Sequence, residues 1–458
     1  MELQELFHLY KRAGFGISLK KAKEKSSKKR EDIIKDLFQS SKKTTLLEVS
    51  VDEIKDLVKK SSGKISKETR DEIRKLSRQK LLDFNREWIY RMADTNEQLR
   101  ERMTLFWANH FVVRGRNIVY YQSFNNTLRK HALGNFRDFV VAVAKGASML
   151  NYLNNQQNLK KKPNENFARE LMELFTLGEG QYSEKDIKEA ARAFTGWRHN
   201  FKGDFAFREK IHDFESKTFM GKTGNFDGED IVDIILEQPQ CAYFISKKIY
   251  TYFVSHEVNE DHVEEMADIF RVNYDISEVM RHVFMSKWFY DKSIMGTKIK
   301  SPTDVLVGMM RIVPYKFKKT RELVYVQKLL GQDLLNPPNV AGWSGGKKWI
   351  DSNTMMVRLK LPSVLLSDGI ISFDVKGEFE DSLTEFNKKK NVGRRLDVES
   401  DWNFFENEYK KSSHAELASV VLGANLQEEA KSFMDSLEKE SKAEYCIQLM
   451  SIPEFQLC

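Results

Sequence analysis

Phe84-Asn-Arg-Glu-Trp-Ile-Tyr-Arg-Met-Ala-Asp-Thr-Asn-Glu-Gln-Leu-Arg-Glu-Arg-Met-Thr-Leu-Phe-Trp-Ala-Asn-His-Phe111 decides the fold class. Along it Trp88, Ile89, Met92, Leu99, Met103, Phe106 and Trp107 return at the spacing of a helix face. So many large rings on one face need a core to cover them, and the pattern begins near Leu81. Working outward, helices are expected over 121–131 and 136–150, then from a Pro163-Asn164-Glu165 start to a Gly178 stop. Ser183 caps another, with Asp186 three residues on and an apolar stripe through Ile187, Ala190, Ala191 and Phe194. Residues 198–212 alternate around Lys202-Gly203-Asp204, the pattern of a β-hairpin. Helical stretches follow over 229–237, 242–253, 262–272, 276–285 and 303–312, and again from Asn353. On the N-terminal side, 1–40 read as two short helices around Gly14-Phe15-Gly16, and 41–76 as a Lys/Ser-rich periphery. Residues 371–412 read as polar and irregular, ahead of two closing helices between 414 and 450.

The expected fold is mainly α: a large multi-helix orthogonal assembly with a small β-hairpin and long ordered loops. Its expected parts are a Lys-rich helical region (1–80), the main core (81–370) and a polar connection with C-terminal helices completing that core (371–458). Strand and helix do not alternate, which argues against a parallel-sheet nucleotide fold. Composition agrees: of 458 residues 41% are hydrophobic, 31 are Phe and only 8 are Pro. Lys plus Arg exceed Asp plus Glu by 74 to 67, a modest +7 that lacks the dense patch of a nucleic-acid binder. Much of that excess lies in 20–30 and 55–80, read as solvated helices. Three cysteines, Cys241, Cys446 and Cys458, form no paired spacing, which excludes a zinc ribbon and a disulfide-dense scaffold. The opening residues are acidic where a signal peptide is basic, and no run approaches the roughly 18 apolar residues of a membrane span. The chain is therefore expected to be soluble, with no transmembrane segment and no export signal.

Chemistry concentrates in Asn164-Glu-Asn-Phe-Ala-Arg-Glu-Leu-Met-Glu-Leu-Phe-Thr-Leu-Gly178. At about 100° per residue, Glu165, Asn166, Arg169, Glu170, Glu173 and Thr176 share one arc of roughly 140°. Either this is an ion-paired surface, or it faces an enclosed site where one carboxylate acts as a base or metal ligand. Asn109-His110, set among aromatic residues, is expected to be buried and hydrogen-bonded. His212-Asp213 follows the hairpin on a segment expected to be irregular and exposed. His110, His212, Asp213, Glu165, Glu170 and Glu173 together would be enough donors for a divalent metal, although no HExxH-type spacing ties them together. Gly221-Lys-Thr-Gly-Asn-Phe-Asp-Gly228 lacks the first glycine of a phosphate loop, where Ser216 stands. It is read as a turn presenting Asn225 and Asp227 to an anion or sugar hydroxyl. Pro337-Pro-Asn-Val-Ala-Gly-Trp-Ser-Gly-Gly-Lys-Lys-Trp349 is a stiff loop whose Asn339 and Trp343 could form a ligand wall.

These segments resemble the bacterial domain-of-unknown-function family numbered 1800. The resemblance rests on Tyr10–Gly16, Arg102–Phe111, Asn164–Gly178, Ala190–Trp197, Thr223–Gly228, Lys300-Ser-Pro302, Pro337–Trp343 and Pro453–Cys458. It implies no established activity. It does imply a periplasmic or cell-surface system, since such proteins are often exported and encoded beside an alkaline-phosphatase-like partner. Two readings follow. One is a hydrolase-like enzyme using Glu165, Arg169, Glu170, Glu173 and His110; the other is a non-catalytic accessory or scaffold protein for that partner.

Overall fold

The stripe from Phe84 to Phe111 folds as two helices, Lys67–Asp94 and Gln98–His110, separated where Thr95 turns to extended backbone. Trp88, Met103 and Trp107 are completely buried. The computed structural model describes residues 1–60, 66–367, 396–423, 432 and 441–458. Lys67–Asp94 packs on Pro302–Ile312 and Thr320–Leu329, while Gln98–His110 packs on Ile118–His131, which in turn meets Phe136–Ala144. At the centre the rings of Trp107, Phe111, Phe136, Phe139 and Phe175 lie at mutual centroid distances near 5–6 Å. Each such ring removed from water contributes on the order of 2–3 kcal/mol.

Several polar groups within this core are matched. The Trp107 indole donates to the Ala132 carbonyl at 3.1 Å. Glu101, fully buried, accepts from Trp88 Nε1 at 3.2 Å, from Arg91 Nε at 2.6 Å and from both ends of the Arg129 guanidinium at 2.6 and 3.0 Å. Burial pushes the Glu101 carboxyl up, but Arg129 and then Arg91 outweigh it and hold the group below the ordinary carboxylate range.

The fold is mainly α, as expected, and the hairpin stands where the sequence places it: Trp197–His199 pairs antiparallel with Phe205–Phe207. Two further two-stranded pairs were not foreseen: Lys217–Phe219 with Lys222–Gly224, inside the glycine-rich segment, and Tyr315–Phe317 with Val398–Ser400. The N-terminal stretch holds three helices rather than two, Leu3–Ala13, Leu19–Ser26 and Arg30–Ser40; Leu6, Leu9, Ile33 and Ile34 are buried. The irregular stretch expected over 371–412 falls outside the described residues up to 395. Its described remainder contains strand Val398–Ser400 and helix Trp402–Tyr409, which bury Phe405 and Tyr409. The closing helices are His414–Leu422 and Lys442–Met450. Among the described residues no helix is long and apolar enough to cross a membrane.

Candidate functional site

The acidic segment starts as an α-helix, Asn166–Glu170, then widens into a π-helical turn, Leu171–Thr176. Glu165 holds the capping position, while Asn164 Oδ1 accepts from the Asn166 amide at 3.1 Å. The wider turn breaks the uniform 100° step on which the six-residue arc depended. Thr176, expected on the polar face, is fully buried, and its hydroxyl donates to the Leu171 carbonyl at 2.6 Å. Arg169 pairs with Glu165 at 3.4 Å and clamps both oxygens of Glu184 at 2.9 Å on a half-open surface. Glu173 accepts from the Tyr182 hydroxyl at 2.7 Å. Glu170 has no hydrogen bond or ion pair among the described residues. Burial first, and Glu173 second, raise its carboxyl above the usual range against the pull of Arg169.

His110 is a core histidine, buried as expected. Its Nε2 meets the Phe175 carbonyl at 3.0 Å, its ring lies parallel to Phe106 and edge-on to Phe111, and Nδ1 has no partner. Burial, then Lys248, lower its pKa to about 3, so it is neutral. Asn109 has a different task. Its amide donates to the Trp343 carbonyl at 3.0 Å and accepts from the Trp343 N–H at 2.8 Å, pinning the 337–349 loop to the end of the Gln98–His110 helix. Gly342 makes room for this: its φ is +76°, and a side chain there would collide with Asn109 Oδ1. Trp343 is half-buried, and Asn339 closes an Asx turn onto the Ala341 amide at 3.0 Å.

His212 and Asp213 are buried rather than exposed. His212 Nδ1 meets the Thr195 carbonyl at 2.7 Å, and Arg192 grips Asp213 through Nε at 2.7 Å and Nη2 at 3.2 Å. Asp227 caps helix Gly228–Leu236, accepting from Glu229 N and Asp230 N, while Asn225 is exposed. Of the residues singled out from the sequence, the structure joins Asn109 to Trp343. His110 meets the acidic segment only through the Phe175 backbone carbonyl; among the described residues no hydrogen bond or ion pair links His110 to the acidic side chains, or either of them to the His212-Asp213 pair. Nor do those residues hold a group of three or more His, Cys, Asp or Glu side chains that could bind a metal.

A second concentration of charge lies deeper, and it was not foreseen. Lys11, Arg12, Arg102, Lys298, Lys300 and Arg358 gather where several helices end. Arg12 donates to the carbonyls of Val254 at 2.9 Å, Ile294 at 3.2 Å and Cys458 at 2.7 Å. Lys298 donates to the Tyr252 carbonyl, its ammonium 4.2 Å from the Tyr252 ring centroid. Arg102 Nε takes the Gly14 carbonyl at 2.8 Å, Lys11 the Val421 carbonyl at 2.9 Å and Lys300 the Phe455 carbonyl at 2.6 Å. Those carbonyls close the helices Leu3–Ala13, Pro239–Phe253 and His414–Leu422 and the short turn Pro453–Gln456. Each helix end carries roughly half a negative charge, which is why the basic groups converge here.

The carboxylate at the heart of this centre is Asp304, ion-paired with Arg102 and capped onto Ser301; Asp351 acts on Arg358 from the edge. Burial pushes Asp304 up, yet Arg102 and Lys298 prevail and hold it at about 2. Burial, then Arg12, draw Lys298 down to about 7 against Cys458 and Asp304, and burial brings Lys300 to about 8. Nε and Nη2 of Arg358 and Nε2 of neighbouring Gln456 are buried donors without an acceptor among the described residues. The centre meets solvent, at its mouth, through half-buried Lys298 and Tyr252 and exposed His256, on which Lys298 acts electrostatically; a Cβ on Gly346 would meet His256 Nε2 at 3.0 Å. Lys300-Ser-Pro302 was visible in the sequence as a motif. The local signal that its lysine is buried is only the apolar company of Ile299 and Val305.

A sequence model of the family described as "Protein of unknown function (DUF1800)" matches residues 8–457. No curated protein and no solved structure matches the chain.

Proposed function

The chain belongs to the DUF1800 family, whose match spans nearly its whole length, and we propose that it recognises an anionic group, a phosphate or carboxylate, at the mouth of the basic centre. One observation carries this reading: Lys298 is half-buried among Arg12 and Arg102, opposed only by Cys458 and Asp304, with the Tyr252 carbonyl as its hydrogen-bond acceptor. An incoming anion would supply the compensating charge that the centre lacks; His256 feels the charge of the same ammonium and itself packs against Gly346. The segments that resemble the family supply basic members of the centre: Lys11 and Arg12, Arg102 and Lys300. Isothermal titration with inorganic phosphate tests the reading. Phosphate should bind the full chain more tightly below pH 7 than above pH 8, because the lysine must carry its proton to attract it. Lys298→Met should weaken binding at least about tenfold, the loss of a charge-assisted contact. Equal binding by Lys298→Met, or none by the native chain, would overturn it.

The acid–base reading keeps a narrower basis in Glu170. Its raised carboxyl, beside the Tyr182-bonded Glu173, is what supports a proton-donor role. The alkaline-phosphatase-like partner follows from the resemblance alone, and co-purification from cells producing both proteins tests it.

A further inference from the structure

The hairpin that the sequence foresaw also carries, among the described residues, a cluster of exposed aromatic rings. Phe201 at its tip is 72% exposed, Phe207 at its base 41%, and Phe214 just beyond 55%. Phe207 and Phe214 are not loose. Both pack edge-on against the His212 ring, at 5.0 and 4.6 Å, and His212 is itself tied to the Thr195 carbonyl. This assigns His212 a role: a buried post that holds two phenyl rings outward.

Basic side chains surround these rings. The tight turn 159–162 is stitched to the same surface by the Lys160 N–H to the Ile211 carbonyl at 3.0 Å. It presents Lys160, Lys161 and Lys162, all exposed, alongside exposed Lys202, Arg208 and Lys210. None of the six makes an ion pair among the described residues, and the nearby exposed acids are only Asp204, Glu209 and Glu215, the last spanned by Arg192. The hairpin tip is positioned, not free: the Tyr120 hydroxyl donates to the Phe201 carbonyl at 3.1 Å.

We propose that this face docks on an anionic phospholipid bilayer, with Phe201, Phe207 and Phe214 entering the interfacial layer and the six basic side chains meeting the headgroups. Phenyl rings with no hydrogen-bonding group gain only by leaving water, and rings packed edge-on to His212 offer poor stacking platforms for bases, so a bilayer fits this chemistry better than a nucleic acid. Each basic side chain near an anionic leaflet contributes about fivefold in partitioning, and the contribution fades with salt.

Co-sedimentation of the full chain with extruded vesicles tests this. The native protein should pellet with vesicles of phosphatidylglycerol and phosphatidylcholine in equal parts, far less with phosphatidylcholine alone, and should be released by high salt. Two variants act on separate ingredients: Phe201→Ser with Phe214→Ser, and Lys160→Glu with Lys161→Glu and Lys162→Glu. Each should lower partitioning by about tenfold or more with an unchanged unfolding transition. The proposal is overturned if the native chain ignores phosphatidylglycerol vesicles or binds phosphatidylcholine as well. It is equally overturned if both variants partition like the native chain, or if a single-stranded oligonucleotide binds this face and the vesicles do not.

Discussion

Asn109 shows how one side chain can do the work of a strand. Its amide completes a two-way hydrogen-bond pair with the Trp343 backbone, so the 337–349 loop is tied down by side chain rather than by sheet. Truncating it would leave the Trp343 N–H and carbonyl of a half-buried loop without partners, at about 1–3 kcal/mol for such groups. Asn109→Ala should therefore lower the midpoint of urea unfolding by an amount in that range. It should also expose the loop to limited proteolysis while the far-UV spectrum stays unchanged. The sequence read both Asn109 and His110 correctly as hydrogen-bonded and His110 correctly as buried, while Asn109 is only half-buried. The partners were not legible: one lies in the 337–349 loop and the other in the π-helical turn, and spacing along a chain does not encode contacts that distant.

Among the elements, the Gln98–His110 helix bears most of the load, and Glu101 is its hinge of charge. It ties three segments together through Trp88, Arg91 and Arg129 with none of its own surface exposed. Glu101→Gln leaves Arg129 buried and short of its counter-charge, so a loss of about 3–5 kcal/mol is expected from chemical denaturation. The pH dependence has a definite sign. The folded carboxyl sits below its unfolded value, so its contribution is present above the ordinary Glu range and fades as pH falls through the folded value. Glu101→Gln should accordingly narrow its deficit against the native chain in acid; a deficit constant with pH would contradict this. Helix positions were legible from period and caps, as Ser183–Asp186 and Ile276–Met285 show. The Leu171–Thr176 turn was not, because a π turn leaves no mark on apolar spacing, and its widening moved Thr176 from the expected polar face to the interior.

Across the whole molecule, the ends of helices from the first residues to the last meet at one basic centre, and their combined dipoles make four buried and two half-buried cations tolerable beside so few acids. Nothing local in the sequence foretells that convergence; it is a property of the packing. Lys298 and Lys300 hold their protons less firmly folded than unfolded, so between about 7 and the ordinary lysine range the unfolded chain binds more protons. Stability contributed by this centre should rise with pH across that window and be lowest below it. The groups facing the two ammoniums are Lys11, Arg12, Arg102, His256, Asp304, Arg358 and Cys458, and an added anion would oppose the cations among them. The most direct measurement is the titration of Lys298 by carbon NMR of the reductively methylated protein, assigned with Lys298→Arg, with and without inorganic phosphate. The expected result is a midpoint near 7 that moves upward when phosphate is added. A midpoint in the ordinary lysine range, or one that phosphate leaves unmoved, would contradict the account.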